Sequence, residues 1–265
     1  MRRVMQSGEI LLLKFGRESL MGEMSRLSAE IFANIARQVA VLMLQGIKVA
    51  IVSSGAIQAG KERMTDIGQD AAPIPEKILS GIGTRHLLNF WGSAFSNFGH
   101  EIAPFWLTYA NLTAEDGTIL TNIEECFARN IVPIINENDI VSDEEIKAMN
   151  LGVSENDHLA VLLGRIIRPS ALILITKSGA VFTGNPVTDP YAIQYLEIDR
   201  DDIPFNLLAD CQTTGKGGMN KKILQAVNAA NEGFLTVIAG PDDNTILRFA
   251  RGEEVGTLIG HQNKL

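Results

Sequence analysis

Cysteine, histidine and aromatic residues are all sparse in this chain of 265 residues: two Cys, four His, and 6% Phe, Trp and Tyr. Cys126 and Cys211 stand in no metal-like or redox spacing, which excludes a cysteine-based zinc site or thiol–disulfide centre. Two reduced thiols in a reducing compartment, the cytoplasm, are expected. His86, His100, His158 and His261 are scattered and read as structural or exposed residues, not as a catalytic base. No apolar run approaches the ~18 residues that a membrane span requires. Arg2 and Arg3 precede an apolar stretch, but Lys14 interrupts it and no small-residue cleavage site follows. A first strand over Ile10–Phe15 is therefore expected in place of a leader.

Positive charge is scarce too. With 23 basic against 31 acidic residues the net charge is −8. Such a chain repels phosphate backbones and anionic lipid, so nucleic acid and membrane are poor partners, and an anionic ligand must be met by a few local lysines. The G-x-x-x-x-G-K-[ST] loop, a G-x-G-x-x-G turn after a strand, and the protein-kinase motifs are all missing. Any nucleotide chemistry must use another architecture.

What is present is an ordinary globular mixture, 46% hydrophobic and 20% charged, in which β-type runs alternate with helical periodicity. Strands are expected at Ile10–Phe15, Val49–Val52, Ile102–Leu107, Ile131–Ile135, Ala171–Thr176 and Leu235–Ala239. Helices are expected at Ala29–Gln45, Ile78–Phe98, Ile119–Arg129, Asp157–Ile167 and Met219–Glu232. The strands are nearly continuous apolar runs, as when helices cover both faces of a parallel sheet. The predicted fold is α/β: a three-layer α/β/α sandwich with a largely parallel central sheet. One domain over 1–265 is expected, with two lobes, about 1–150 and 151–265, meeting near the polar stretch Ser142–Ser154.

Four segments could carry chemistry. Lys14-Phe15-Gly16 ends the first strand; an ammonium buried there needs a partner, unless the side chain snorkels to solvent. Ser53 to Gly60 (SSGAIQAG) follows the second strand, where small residues let free N–H groups at a helix start meet an anion, or simply form a tight turn. Asn136-Glu137-Asn138-Asp139 lies at a strand's carboxyl end, where open α/β sheets bind ligands, though Asn and Asp also favour loops and caps. The fourth pairs Ser154-Glu155-Asn156-Asp157 with Gly215 to Lys222 (GKGGMNKK). Ser154-x-x-Asp157 has the form of a capping box, while the glycines opening a helix can cradle phosphate. Lysines in a helix's first turn oppose its dipole, which an anion bound there would explain.

Taken in this order, these segments resemble the amino acid kinase family, on its glutamate-kinase branch, from about Leu11 to Leu258. The most specific pieces are Ser53-Ser-Gly-Ala-Ile-x-Ala-Gly60, Val132-Pro-Ile-Ile-Asn-Glu-Asn-Asp139 and Gly217-Gly-Met-x-x-Lys222. The second, followed by Glu145-Ile146 and Asn156-Asp157, is similar to the glutamate branch and not to the uridylate or carbamate branches. The resemblance implies ATP with Mg²⁺, L-glutamate as acceptor and glutamyl 5-phosphate as product, in proline synthesis. It assigns catalysis to Lys14, Asp157 and Lys222, with Asp157 holding both lysines. Ser54, Gly55, Ala56, Asp139 and Asn156 would bind the amino acid. Lys14, Thr176, Lys177, Lys216, Gly217, Gly218, Met219, Asn220, Lys221 and Lys222 would bind ATP, with no metal ligand from the protein. A homo-oligomer, feedback by proline and a short form ending before the family's frequent C-terminal PUA domain are also implied. The chain departs from the family pattern at Arg17-Glu18, Ser154-Glu155, Lys177 and Ala180. Two alternatives stand beside this reading: a relative with another small acid or phosphate as acceptor, and a catalytically weak nucleotide or amino-acid sensor.

Overall fold

The structure, a computed structural model, describes residues 3–22, 24–141, 155–207 and 218–260. Its sheet has eight strands: β1 (Ile10–Phe15), β2 (Lys48–Ser53), β3 (Ile102–Leu107), β4 (Val132–Glu137), β5 (Ala171–Ile175), β6 (Glu197–Asp199), β7 (Leu235–Ala239) and β8 (Thr257–Gly260). They lie in the order β3-β4-β2-β1-β5-β7-β8-β6. All neighbours are parallel except β7 and β8.

Side-chain alternation on the central strand decides the two cores. Leu11, Leu13 and Phe15 point to one face and Leu12 to the other. The first face is covered by α1 (Ala29–Leu44), α3 (Glu76–Ser96) and the short α8 (Thr245–Ala250). On α1, Phe32, Ile35, Ala36, Val39 and Leu42 form the buried stripe that the 3.6-residue repeat demands. Trp91 of α3 is fully buried, edge-on to Phe32 with centroids 4.5 Å apart, and its indole N–H donates to Ser53 Oγ at 3.0 Å. The second face is covered by α5 (Thr118–Ala128), α6 (Glu155–Ile167) and α7 (Met219–Asn231), through Ile123, Leu159, Leu163, Ile223 and Ala226. This is the expected three-layer α/β sandwich.

Several elements lay below the reach of sequence periodicity. The turn after Ser53 opens a full helix, α2 (Ala56–Asp66), and a single turn, α4 (Tyr109–Thr113), precedes α5. The strands β6 and β8 and the helix α8 have three to six residues each, too short for a repeat to show. β4 runs on to Glu137 because its pairing with β3 continues through Trp106↔Asn136 and Leu107↔Glu137.

Two glycines set how closely α2 and α3 pack. A Cβ added at Gly83 would lie 1.8 Å from the Ala56 carbonyl oxygen, and one at Gly60 2.0 Å from that of Leu79. The helix backbones therefore touch. No helix among the described residues is long and apolar enough to cross a membrane.

Candidate active site

Lys14 lies on β1 between Val52 of β2 and Leu174 of β5. Strand alternation turns its side chain to the face of Leu12, beneath α6 and α7. There it is 2% exposed, and its ammonium stands 2.5 Å from Asp157 Oδ1. Lys222, in the first turn of α7, reaches the same carboxylate, with Nζ 3.1 Å from Oδ1 and 2.9 Å from Oδ2. Asp157 is 1% exposed and sits in the first turn of α6. One buried carboxylate thus joins a strand to two helices distant in sequence.

The electrostatics follow from that burial. Desolvation brings Lys14 down from 10.5 to about 8, and repulsion from Lys222 adds to it, against the attraction of Asp157. Burial pushes the Asp157 carboxyl upward, but the two ammonium groups together outweigh this and hold it below the ordinary carboxylate range. Two ammoniums and one carboxylate leave one net positive charge at neutral pH. A buried surplus charge of this kind favours an incoming anion. Among the described residues no group of three or more His, Cys, Asp or Glu could hold a metal ion.

Hydrogen bonds also tie two further pairs of candidate residues, Asn156 with Ser54 and Asp139 with Ser80. The Ser54 backbone N–H donates to the Phe15 carbonyl at 3.1 Å, tying the β2 turn to the end of β1. Gly55 then takes φ +110°, a left-handed value that glycine allows, and α2 starts at Ala56. Asn156 Nδ2 donates to Ser54 Oγ at 2.8 Å, while its Oδ1 is buried without a hydrogen-bond partner among the described residues. Asp139 accepts from Ser80 Oγ of α3 at 2.5 Å. Ser80 carries no motif signal; only the α2–α3 packing brings it here.

A cleft of about 560 Å³ opens beside α7. Its walls include Gly218, Met219, Asn220 and Lys221 from the start of α7, and Ala180, Phe182 and Thr183–Pro186 from the segment after β5. Ser178, Asn206 and Leu207 also line it. The segment 182–186 escaped the sequence reading, which stopped at Ala180. Thr176 and Lys177 sit at the end of β5 just ahead of the cleft and are not on its walls; Lys177 is exposed. Lys216, Gly217, Ser154, Glu145, Ile146 and Cys211 lie outside the described residues. Lys14, Ser54, Asp139 and Thr176 follow or end four parallel strands, so all four lie at one edge of the sheet, where such folds bind ligands.

The profile of the amino acid kinase family matches residues 9–239. The chain belongs to that family. It is 32% identical to the glutamate 5-kinase of Nitrosomonas eutropha, over 97% of this chain and 69% of that protein. To the glutamate 5-kinase of Vibrio campbellii it is 34% identical, over 96% of this chain and 67% of that one. Among solved amino acid kinase folds, the carbamate kinase of Giardia lamblia bound to AMP-PNP superposes with a TM-score of 0.68 at 14% identity, over 97% of this chain and all of that one. The isopentenyl phosphate kinase of T. acidophilum gives a TM-score of 0.65 at 14% identity, covering 94% and 99%. At these identities the structural likeness shows the fold alone.

Proposed function

We propose that this chain transfers the γ-phosphoryl group of ATP to the side-chain carboxylate of L-glutamate, giving glutamyl 5-phosphate and ADP, the first step of proline biosynthesis. The observation that carries the reading is the Lys14–Asp157–Lys222 cluster at the carboxyl ends of the strands. The acceptor's identity rests on the likeness to glutamate 5-kinases along nearly the whole chain.

In this reading a glutamate carboxylate oxygen attacks the γ-phosphorus, and the bond to the β–γ bridging oxygen breaks with its electron pair passing to ADP. The carboxylate is already ionised at neutral pH, so no general base is required. Catalysis then reduces to alignment and charge neutralisation. Lys14 and Lys222 supply fixed positive charge where the transferring oxygens gather, and Asp157 holds both ammoniums in place. Ser54, Gly55, Ala56, Asp139 and Asn156 hold the amino acid, the orphan Asn156 Oδ1 offering an acceptor for its ammonium. The cleft, residues 216–222, Thr176 and Lys177 hold the nucleotide. Apart from Asn156, which reaches across to Ser54, the amino acid belongs in this reading to the lobe 1–150, and ATP to the lobe 151–265. Mg²⁺ enters in this reading as part of the MgATP substrate. A homo-oligomer, feedback by proline and a cytoplasmic setting belong to the same reading and rest on the resemblance.

The test is ATP turnover with glutamate against a panel of amino acids, small acids and small phosphates, with hydroxylamine to trap an acyl phosphate. A glutamate-dependent hydroxamate is the expected product. Turnover with another acceptor alone, or none with any, would sink the proposal.

A further inference from the structure

Glu62 is a carboxylate buried on α2 that the reaction does not use. Its side chain is 4% exposed. Oε1 accepts the Leu27 backbone N–H at 2.9 Å and Gln58 Nε2 at 3.0 Å, and Gln58 Nε2 also donates to the Ser25 carbonyl at 3.2 Å. Oε2 is buried with no hydrogen-bond partner among the described residues, and Arg26 Nε stands 3.9 Å from it. All of these contacts reach one segment, the connection from β1 to α1. That connection folds back on itself through the Met21–Leu27 bridge, Gly22 N–H to Arg26 carbonyl at 2.8 Å, and Ser28 N–H to Leu20 carbonyl at 3.1 Å.

The same segment touches both halves of the candidate site. At its start, a Cβ added to Gly16 would stand 3.9 Å from Lys14 Nζ. Further on, Leu27 and Leu20 pack over Gly55, where an added Cβ would meet them at 3.7 and 4.0 Å. α2 has no packing need for a buried carboxylate, and an apolar side chain would avoid the desolvation cost. What an oxygen at this position supplies, and an apolar side chain does not, is an acceptor for the loop's backbone; the carboxylate adds the 3.9 Å ion pair to Arg26.

We propose that Glu62 is a positioning residue: it fastens the β1–α1 loop against Gly55, so that the wall beside Ser54-Gly55-Ala56 is set before the acceptor binds. The proposal deepens the kinase reading and rests on it for the identity of the acceptor. Glu62→Met removes the acceptor atom at similar side-chain length, and Glu62→Gln keeps an amide oxygen for the Leu27 N–H. The expected result for Glu62→Met is a KM for glutamate raised roughly ten-fold, the scale of losing one hydrogen bond to a charged group, with the KM for ATP unchanged. Glu62→Gln restores the wild-type KM. Trypsin reads the loop directly, since Arg17 and Arg26 lie within it, with side chains 53% and 43% exposed. Cleavage there is faster in Glu62→Met than in wild type or Glu62→Gln, and glutamate slows it. Unchanged cleavage in Glu62→Met, an equal rise in both KM values, or a Glu62→Gln variant as impaired as Glu62→Met overturns the proposal. If Glu62→Met does not fold, Gln58→Leu, which removes the Ser25 tie and one support of Glu62, decides by the same readouts. If no acid is phosphorylated at all, the kinase reading fails, and the trypsin comparison still decides whether Glu62 anchors the loop.

Discussion

Asp157→Asn separates a helix cap from an organiser of charge. The substitution keeps the shape and an acceptor for a backbone N–H at the start of α6, but removes the negative charge that faces Lys14 at 2.5 Å and Lys222 at 2.9 Å. If both lysines stayed charged, the cost would be that of unpairing a buried ion pair, about 3–5 kcal/mol. Lys14 escapes part of it. Its pKa, about 8 in the wild type, is held up chiefly by Asp157 against burial and Lys222. Without that charge it falls further, which shifts Lys14 toward its neutral form. The melting temperature then drops by several degrees, given ~2–4 °C per kcal/mol for a chain of this size. The rate suffers more, because the loss of one preorganised charge or donor at a transition state costs about 10²–10³ in kcat. Steady-state assays between pH 6 and pH 9, beside a thermal melt, check both. Activity of the variant relative to wild type should rise as the pH is lowered, since Lys14 then regains its proton. A variant with near wild-type kcat would reduce Asp157 to a cap. A loss of rate that does not depend on pH would refute the argument through Lys14.

Four further outcomes follow from the geometry. In the wild type, kcat/KM for ATP should fall as pH rises through about 8, where free-enzyme Lys14 loses its proton. Stability moves the other way: Lys14 titrates near 8 folded and 10.5 unfolded, so the unfolded chain binds more protons in that window and the Lys14 contribution to stability increases from pH 8 to 10.5. Denaturant melts across that range check the sign. Gly83→Ala places a methyl 1.8 Å from the Ala56 oxygen, so α2 and α3 must separate; a destabilisation of about 1–3 kcal/mol and a raised KM for glutamate are expected, by melt and kinetics. Ser80→Ala removes the hydroxyl that holds Asp139 at 2.5 Å, and should raise the KM for glutamate several-fold with that for ATP unchanged, an ATP-specific defect being the contrary result.

By itself the sequence determined the layered fold and the chain order of its motifs. The runs Ile10–Phe15, apart from Lys14, and Ala171–Ile175 are apolar on both faces, so each had to lie inside a sheet covered by helices. The α1 stripe could be read from its spacing alone. Pairing across the fold was beyond its reach. That Asp157 is shared by a lysine 143 positions before it and another 65 after it follows from α6 and α7 lying on the Lys14 face of β1. From the residues alone Asp157 reads as a cap, and its sharing was implied only by resemblance to a family. Ser80, Glu62 and Gly83 carry no local signal, because what distinguishes them is the distance to an atom on another element. The antiparallel β8 and the cleft wall at 182–186 escaped for a related reason: short irregular segments have no period, and only the packing of the rest of the chain gives them a place.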